Sequence, residues 1–549
     1  MQISRRDLLR SSAVAAGSAT VLGGLSADAV TGTVAIAPTT RAGVYLKGQP
    51  DETGWRPVVE GPGDRYVVRT LGTEAKPGRA KRRKPLLAFA QLSDVHIVDA
   101  QSPARLDSLD RNDDDNNGDG ENDGNGLFKA AWRPQEILGA HVADAMVRRI
   151  NEVRRGPVTG KPLALAIQTG DNSDNSQYNE VRWNIDVLDG VEVRADSGDL
   201  TRFEGAMDGT PETYDVHFWH PDGTPEGLED DLPRSQFGFP TVPGLLDAAR
   251  APFEAEGLTM PWLTAFGNHD ALRQGNFPWD DSKTAQALGD QKQISPGVFR
   301  TVTPDPDRRP LSKQEWIEEH FNTPATPGPV GHGFRKANRE EGTGYYHFDA
   351  GLVRFIVLDT VNPNGNQSGS IDQSQFTWLR SMLGKSRKKL VILASHHTLS
   401  TMTNHQTGIV DDVPRVLGDQ IKAELVRHDN VIAWVNGHTH TNQIWPHHVS
   451  GAPGRFWEIN TASHIDWPQQ ARVIEVADNK DGTISIFTTL LDHAGPVEWS
   501  GAIDDPVQLA ALSRELSAND WQEQESGRRG TRKARNTELV LRAPTLLRT

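Results

Sequence analysis

The stretch NGHTH at residues 436–440 places two imidazoles one residue apart, directly after the apolar run VIAWV. In an extended backbone successive side chains alternate faces, so His438 and His440 are expected to share one face while Thr439 turns away. Such a pair can hold a metal ion; the alternative, in a chain with 18 histidines, is a polar turn after a buried strand. Four further apolar runs end in residues of the same chemistry. Asp94-x-His96 follows LAFAQLS, Gly170-Asp171 follows LALAIQT, Gly267-Asn268-His269-Asp270 follows WLTAF, and His396-His397 follows VILAS. Asp, Asn and His together are oxygen and nitrogen donors suited to manganese, iron or zinc.

Ligands so far apart in sequence meet only if the fold brings them to one edge. Parallel sheets do this, because they present the loops after their strands on a common side. Leu86–Leu92 is a short apolar run fit for a doubly buried strand. Pro134 opens a helical pattern through Leu138, Val142, Ala145, Met146, Ile150 and Val153, and PLALAIQTGD is the next strand. Strand, helix and strand in this order build parallel sheets. GTGYYHFDAGLVRFIVLDT predicts a hairpin turning at Asp349-Ala350-Gly351, and RVIEVADNKDGTISIFTTLL another turning at Asn479 to Gly482. The catalytic region is expected over 86–500, interrupted by Gly-, Pro- and acid-rich insertions at about 176–260 and 271–340. Residues 30–85 read as an extended lead-in, and 501–549 as a helix starting at Val507 behind an Asp505-Pro506 cap, then a polar tail.

In this order the motifs resemble those of the calcineurin-like metallophosphoesterases: D-x-H, G-D-x-x-D, G-N-H-D/E, H and G-H-x-H, spanning Asp94 to His440. The resemblance implies an α/β fold, a calcineurin-like sandwich of two mixed β-sheets flanked by helices, with a two-metal site at one edge. It implies that one metal takes Asp94, His96, Asp171 and His440, and the other Asp171, Asn268, His396 and His438, with Asp171 bridging. His396 is chosen from the doublet because the family motif often reads H-x-P; Thr398 replaces that proline, so His397 stays open as the alternative. His269, beside Asn268, is assigned as general acid or charge stabiliser with Asp174 orienting its ring, where the resemblance places the second Asp of G-D-x-x-D. Two departures narrow the likeness. Asp174 stands where purple acid phosphatases carry a tyrosine, and Asn175 where protein phosphatases carry a phosphate-binding arginine.

The charges of this ligand set also make chemical sense on their own. Two divalent cations against the carboxylates of Asp94 and Asp171 and one bridging hydroxide leave a single net positive charge, since Asn268 and the imidazoles are neutral. Such a centre attracts a phosphate ester, and two metals about 3.5 to 4 Å apart lower the pKa of shared water and clamp the oxygens of an in-line displacement. The expected activity is hydrolysis of a small or lipid-derived phosphoric ester. A nuclease and a non-catalytic metal-binding scaffold on the same fold are the competing readings. The chain's 549 residues carry a formal charge of −15 and a pI near 5.6. That balance argues against a nucleic-acid partner.

Met1–Ala29 resembles a twin-arginine export signal: Arg5 and Arg6 precede Leu8, Leu9 and a weakly apolar stretch, and Ala27-Asp28-Ala29 offers a cleavage site. The expected partner is the twin-arginine export machinery, and the expected location the periplasm, cell envelope or medium. No later run approaches the roughly 20 apolar residues of a membrane span. The absence of cysteine excludes disulfides and thiolate metal ligands. Within the acidic stretch 110–126, Asp113-x-Asp115-x-Asn117-Gly118 begins like a calcium loop, but its twelfth position would be Gly124 instead of Glu, which favours a solvated acidic loop. His464 and Asp466 are candidates for support behind the ligands. Trp219 and His220 are candidates for lining the site or, preferably, for packing, and His447 and His448 receive no role.

Overall fold

The computed structural model describes residues 38–113, 128, 130–323, 327–523 and 527–548. The expected signal Met1–Ala29, and most of the acidic stretch with its calcium-like start, lie outside them. Two mixed sheets carry the architecture. The first has seven strands in the order β1 (Val67–Leu71), β13 (Thr537–Arg542), β12 (Thr483–Asp492), β11 (Gln470–Asp478), β2 (Lys84–Leu92), β3 (Ala166–Gln168) and β4 (Trp262–Thr264). The second runs β5 (Tyr346–Ala350), β6 (Val353–Val357), β7 (Leu390–Ala394), β8 (Val431–Asn436), β10 (Arg455–Asn460) and β9 (Gln443–His448). β2, β3 and β4 are mutually parallel, as are β6, β7, β8 and β10. All five ligand-bearing runs therefore end within parallel stretches.

Alternation along apolar strands explains why the sheets face each other. Phe355, Val357, Ile392, Ala394, Ala433 and Val435 join a core shared with Phe89, Ile167, Leu263 and Ile474 of the first sheet. Their neighbours Ile356, Val391, Leu393 and Trp434 point the other way, onto α3 (Gln373–Lys385) and α4 (Gly418–Leu425) through Leu379, Leu383, Ile421 and Leu425. Phe89 and Phe355 meet edge to face at 5.1 Å across the sandwich. Truncating such a ring costs about 3 to 5 kcal/mol. α1 (Gly139–Val153) is the helix expected after Pro134, entered through a 3₁₀ turn at Glu136–Leu138, and α2 (Tyr178–Asp189) follows β3. Both hairpins form, with five and nine paired positions.

Three stretches differ from expectation. The polar tail holds a buried strand, β13, inserted between β1 and β12. The lead-in supplies β1 and a separate antiparallel pair, Gly43–Lys47 with Val58–Pro62. The insertion expected at 176–260 opens with α2 and then builds its own apolar cluster, in which Phe203, Met207, Phe218, Trp219 and Phe239 pack with Leu509 and Leu512 of α5 (Pro506–Asn519). Asp505 caps α5 by accepting from the backbone N–H of Val507 at 3.0 Å. Among the described residues no helix is long and apolar enough to cross a membrane.

Candidate metal centre

Three of the five ligand loops leave their strands through an unusual backbone. Asp94, His96, Asp171, His438 and His440 have φ of 51, 47, 51, 72 and 53°. This corrects the expectation of an extended pair at His438 and His440: β8 ends at Asn436, and both histidines sit in left-handed turns that bring their rings inward. Left-handed non-glycine residues cost about 1 to 3 kcal/mol each and persist where neighbours over-determine them. Here the neighbours are the other ligand loops. Asp94 N–H donates to Gly170 O at 3.1 Å and His96 N–H to Asp171 O at 3.0 Å. Asp270, buried behind them, accepts from the backbone N–H groups of Asn172, Ser173 and Gly267 at 3.1, 3.0 and 2.9 Å and so ties the β3 loop to the β4 loop. Two glycines allow the approach: a Cβ on Gly267 would lie 2.2 Å from Asp171 Oδ1, and one on Gly437 would lie 2.2 Å from Asp94 Oδ2.

The donor atoms converge in two groups that share one carboxylate. In the first, His96 Nε2 lies 3.2 Å from His440 Nε2, and His440 Nε2 lies 3.4 Å from Asp94 Oδ1. In the second, His396 Nε2 lies 3.2 Å from His438 Nδ1. Asp171 Oδ2 stands between the groups, 3.0 Å from His396 Nε2 and 3.8 Å from His96 Nε2. Asn268 is buried; its Nδ2 donates to Gly275 O at 3.1 Å while its Oδ1 has no partner. An orphaned buried acceptor beside facing imidazole nitrogens and carboxylates fits a pair of cations and not a closed hydrogen-bond network. His396 Nδ1 is bonded to Thr169 O at 3.0 Å, which turns Nε2 toward Asp171. His397 is held differently: Nε2 bonds to Gln367 O at 2.9 Å and Nδ1 to the Thr360 hydroxyl at 2.8 Å, so both its ring nitrogens are engaged.

Direct support behind the ligands comes from Asp174, Asp466 and His464, all expected from the sequence, and the arginines that clamp two of them, Arg105, Arg133 and Arg528, were not. Asp174 Oδ1 lies 3.2 Å from Nδ1 of both His96 and His269, and its other oxygen takes Arg105 Nη1 at 2.6 Å. Arg105, fully enclosed, also binds Asp107 and Glu136 at 2.7 Å each. Asp466 Oδ2 holds His440 Nδ1 at 2.5 Å, Asp466 Oδ1 takes Arg133 Nε at 2.6 Å, and Arg528 Nη1 lies 3.3 Å from Asp466 Oδ2. His464 donates its backbone N–H to Asp94 O at 3.0 Å, and burial lowers its imidazole to about 4. Asn175 is structural, accepting from Gln274 N–H at 3.0 Å. Trp219 and His220 pack in the insertion, bonded to Pro240 O and to Met207 O and Asp215 O. His447 pairs with Glu458 at 2.6 Å.

Charge balance follows from these contacts. Burial pushes Asp171 up, but the facing His396 and His269 imidazoles hold it well below the usual carboxylate range. Burial likewise opposes ionisation of Asp94, which His440 and His396 bring down to about 2. Burial lowers His269, and the carboxylates of Asp171 and Asp174 more than reverse this, raising it to about 9. The Nδ1 of His269 faces Asp174, which leaves Nε2 toward the cavity that the ring lines. That cavity, about 750 Å³, opens directly over His96, Asp171, Asn268, His438 and His440.

Residues 243–442 match the family model described as calcineurin-like phosphoesterase. The chain resembles this family. The calcineurin-like segment holds Asn268, His269, His396, His438 and His440, while Asp94, His96, Asp171 and Asp174 precede it. The two mixed sheets flanked by helices are consistent with the calcineurin-like fold. Three solved structures are similar. A dimetal phosphatase from Danio rerio is 11% identical, with 75% of this chain and 100% of that one covered and a TM-score of 0.35. A purple acid phosphatase from yellow lupin, Lupinus luteus, is 10% identical over 73% and 51% of the two chains, with a TM-score of 0.29. The Thermus thermophilus sulfate thiohydrolase SoxB, in complex with glycerol, is 12% identical over 76% and 58%, with a TM-score of 0.28. Among curated proteins none matches the sequence.

Proposed function

We propose that this protein hydrolyses phosphoric esters with two divalent metal ions, manganese, iron or zinc, held at the shared-carboxylate centre. The observation that carries the reading is Asp171 Oδ2 standing 3.0 Å from His396 Nε2 and 3.8 Å from His96 Nε2, between two donor groups. Asp94, His96, Asp171 and His440 would hold one ion, and Asp171, Asn268, His396 and His438 the other. When bound, such ions supply Lewis-acid polarisation of the phosphoryl oxygens and activation of water. Asp171 and Asp94 keep their charge at neutral pH and fix the ligand geometry. His269, its Nδ1 anchored on Asp174, presents Nε2–H to the departing ester oxygen as the P–O bond breaks and water adds to phosphorus. The Asp174 backbone carbonyl, 2.9 Å from Nδ1, and its Arg105-clamped carboxylate, 3.2 Å away, keep that ring from turning. Asp466 keeps the proton of His440 on Nδ1, so that Nε2 faces the cavity.

Export by a twin-arginine route belongs to the same proposal on the strength of Arg5 and Arg6; replacing both with lysine should retain the protein inside the cell. Reconstitution of metal-free protein, with metal counted per chain and turnover followed on a phosphomonoester and a phosphodiester, tests the central reading. Two ions per chain and turnover of at least one ester are expected. Two bound ions with every ester left intact would sink it.

A further inference from the structure

The cavity is larger than a phosphoryl group needs. Its volume of about 750 Å³ lies in the range that encloses a whole organic ligand. Its lining is also mixed in chemistry. Near His440 stand Arg133 and Arg528, both tied to Asp466. The lining also includes a set of uncharged residues, among them Asn276, Phe277, Pro278, Gln406 and Ile409. Among the described residues the only charged groups lining the cavity outside the ligand and His269 set are Arg133, Glu523 and Arg528.

Two of these apolar side chains stay open to solvent: Phe277 is 41% and Ile409 is 59% exposed. Their backbone is nevertheless fixed. Asn364, fully buried, accepts with one oxygen from the N–H groups of Ile409, Val410 and Asp411 at 2.9, 2.7 and 3.1 Å. Asn362 Nδ2 donates to Gln406 O at 3.0 Å on the same loop. Phe277 and Arg273 exchange two backbone hydrogen bonds, at 2.9 and 3.3 Å, and Asn276 O accepts from Asn366 N–H at 2.8 Å, joining the two loops. Three part-buried hydrogen bonds to Asn364 thus fix the backbone that presents an exposed isoleucine at the mouth of a charged cavity, where an apolar ligand group could cover it.

Resting on the phosphoesterase reading, we infer that Phe277 and Ile409 select esters whose alcohol moiety is bulky, uncharged and largely apolar. The phosphoryl group lies at the ligand cluster, and the alcohol extends along the uncharged residues of the lining to these two side chains. Aryl and long-chain alkyl alcohols share this chemistry. The test uses metal-loaded full-length protein and two series of phosphomonoesters, straight-chain alkyl from methyl to decyl and 4-alkylphenyl from methyl to octyl. Leaving-group acidity is constant within each series, so only apolar length changes. kcat/KM should rise by at least about tenfold along one or both series, the series with the steeper rise identifying the alcohol class. Phe277→Ser and Ile409→Ser, each checked for unchanged melting temperature, should each reduce that rise. Turnover that is flat along both series, or a rise that both substitutions leave intact, overturns the inference while the phosphoesterase reading stands. No turnover in either series by doubly loaded protein that hydrolyses a phosphodiester overturns the inference alone, and no turnover of any ester, the diester included, defeats both.

Discussion

Replacing Asp466 with asparagine isolates the support behind one metal. The carboxylate is ionised: burial opposes this, but Arg133, Arg528 and His440 hold it well below the usual range. It grips His440 Nδ1 at 2.5 Å. Crossing the imidazole and adding a ligand bond puts its charge roughly 6.5 Å from an ion on Nε2, where a unit charge and a dication interact by about 1.3 to 5 kcal/mol for effective dielectrics of 80 to 20. Arg133 and Arg528 offset part of that charge, which favours the lower half of the interval. Loss of such a partner typically weakens metal affinity ten- to hundredfold, or about 1.4 to 2.7 kcal/mol, and the two estimates agree. Asparagine also offers His440 either an acceptor or a donor, so the tautomer with its proton on Nδ1 is no longer enforced. Competitive chelator titration of metal-free protein should show one of two sites weakened by that factor and the other within about threefold. Affinities unchanged at both sites would refute the role of Asp466. Equal weakening of both, with a lowered melting temperature of the metal-free protein, would show that the substitution acts through the fold instead.

Asp171→Asn should lose both ions together, because one carboxylate serves each group; full stoichiometry by elemental analysis would count against its bridging position. His269→Ala should keep two ions and lower kcat by about 10²- to 10⁴-fold, the usual share of a general acid, with metal content measured alongside turnover. His141, on α1 and stacked on Phe253 at 4.8 Å, is lowered by burial to about 4. Its folded pKa lies below the unfolded value of 6.5, so its contribution is complete above pH 6.5 and disappears as pH falls through about 4, a loss of about 3 kcal/mol. His141→Phe should therefore lose less stability than the parent between pH 7 and pH 4 in denaturant titrations, and parallel losses would contradict the assignment.

The ligand loops were legible because each follows a short apolar run, and a run that stops abruptly at Asp, Asn or His announces both the strand end and the chemistry. Spacing could not reveal the turn at His438 and His440, since the same His-x-His reads as extended or left-handed until the surrounding loops are known. Arg105, Arg133 and Arg528 were invisible for another reason. Each is a charged residue whose meaning lies in a distant partner: Arg105 in Asp174, and Arg133 and Arg528 in Asp466. β13 was hidden by composition. ELVL is a short apolar run inside a polar segment, and its burial depends on β1 and β12, which no local pattern names. The insertion cluster around Trp219 failed to declare itself similarly, because it completes its core only with α5.

The adjacency of β1 and β13 sets the order in which this molecule can be finished on the ribosome. Thr40 Oγ1 donates to Asn536 Oδ1 across 496 positions, and β13 closes the sheet beside both β1 and β12. Until Thr537–Arg542 is in place, the long β12 presents a bare edge, a template for pairing with another chain. Completion of the first sheet waits for Thr537–Arg542, so a chain truncated at residue 500 leaves that edge without its partner strand.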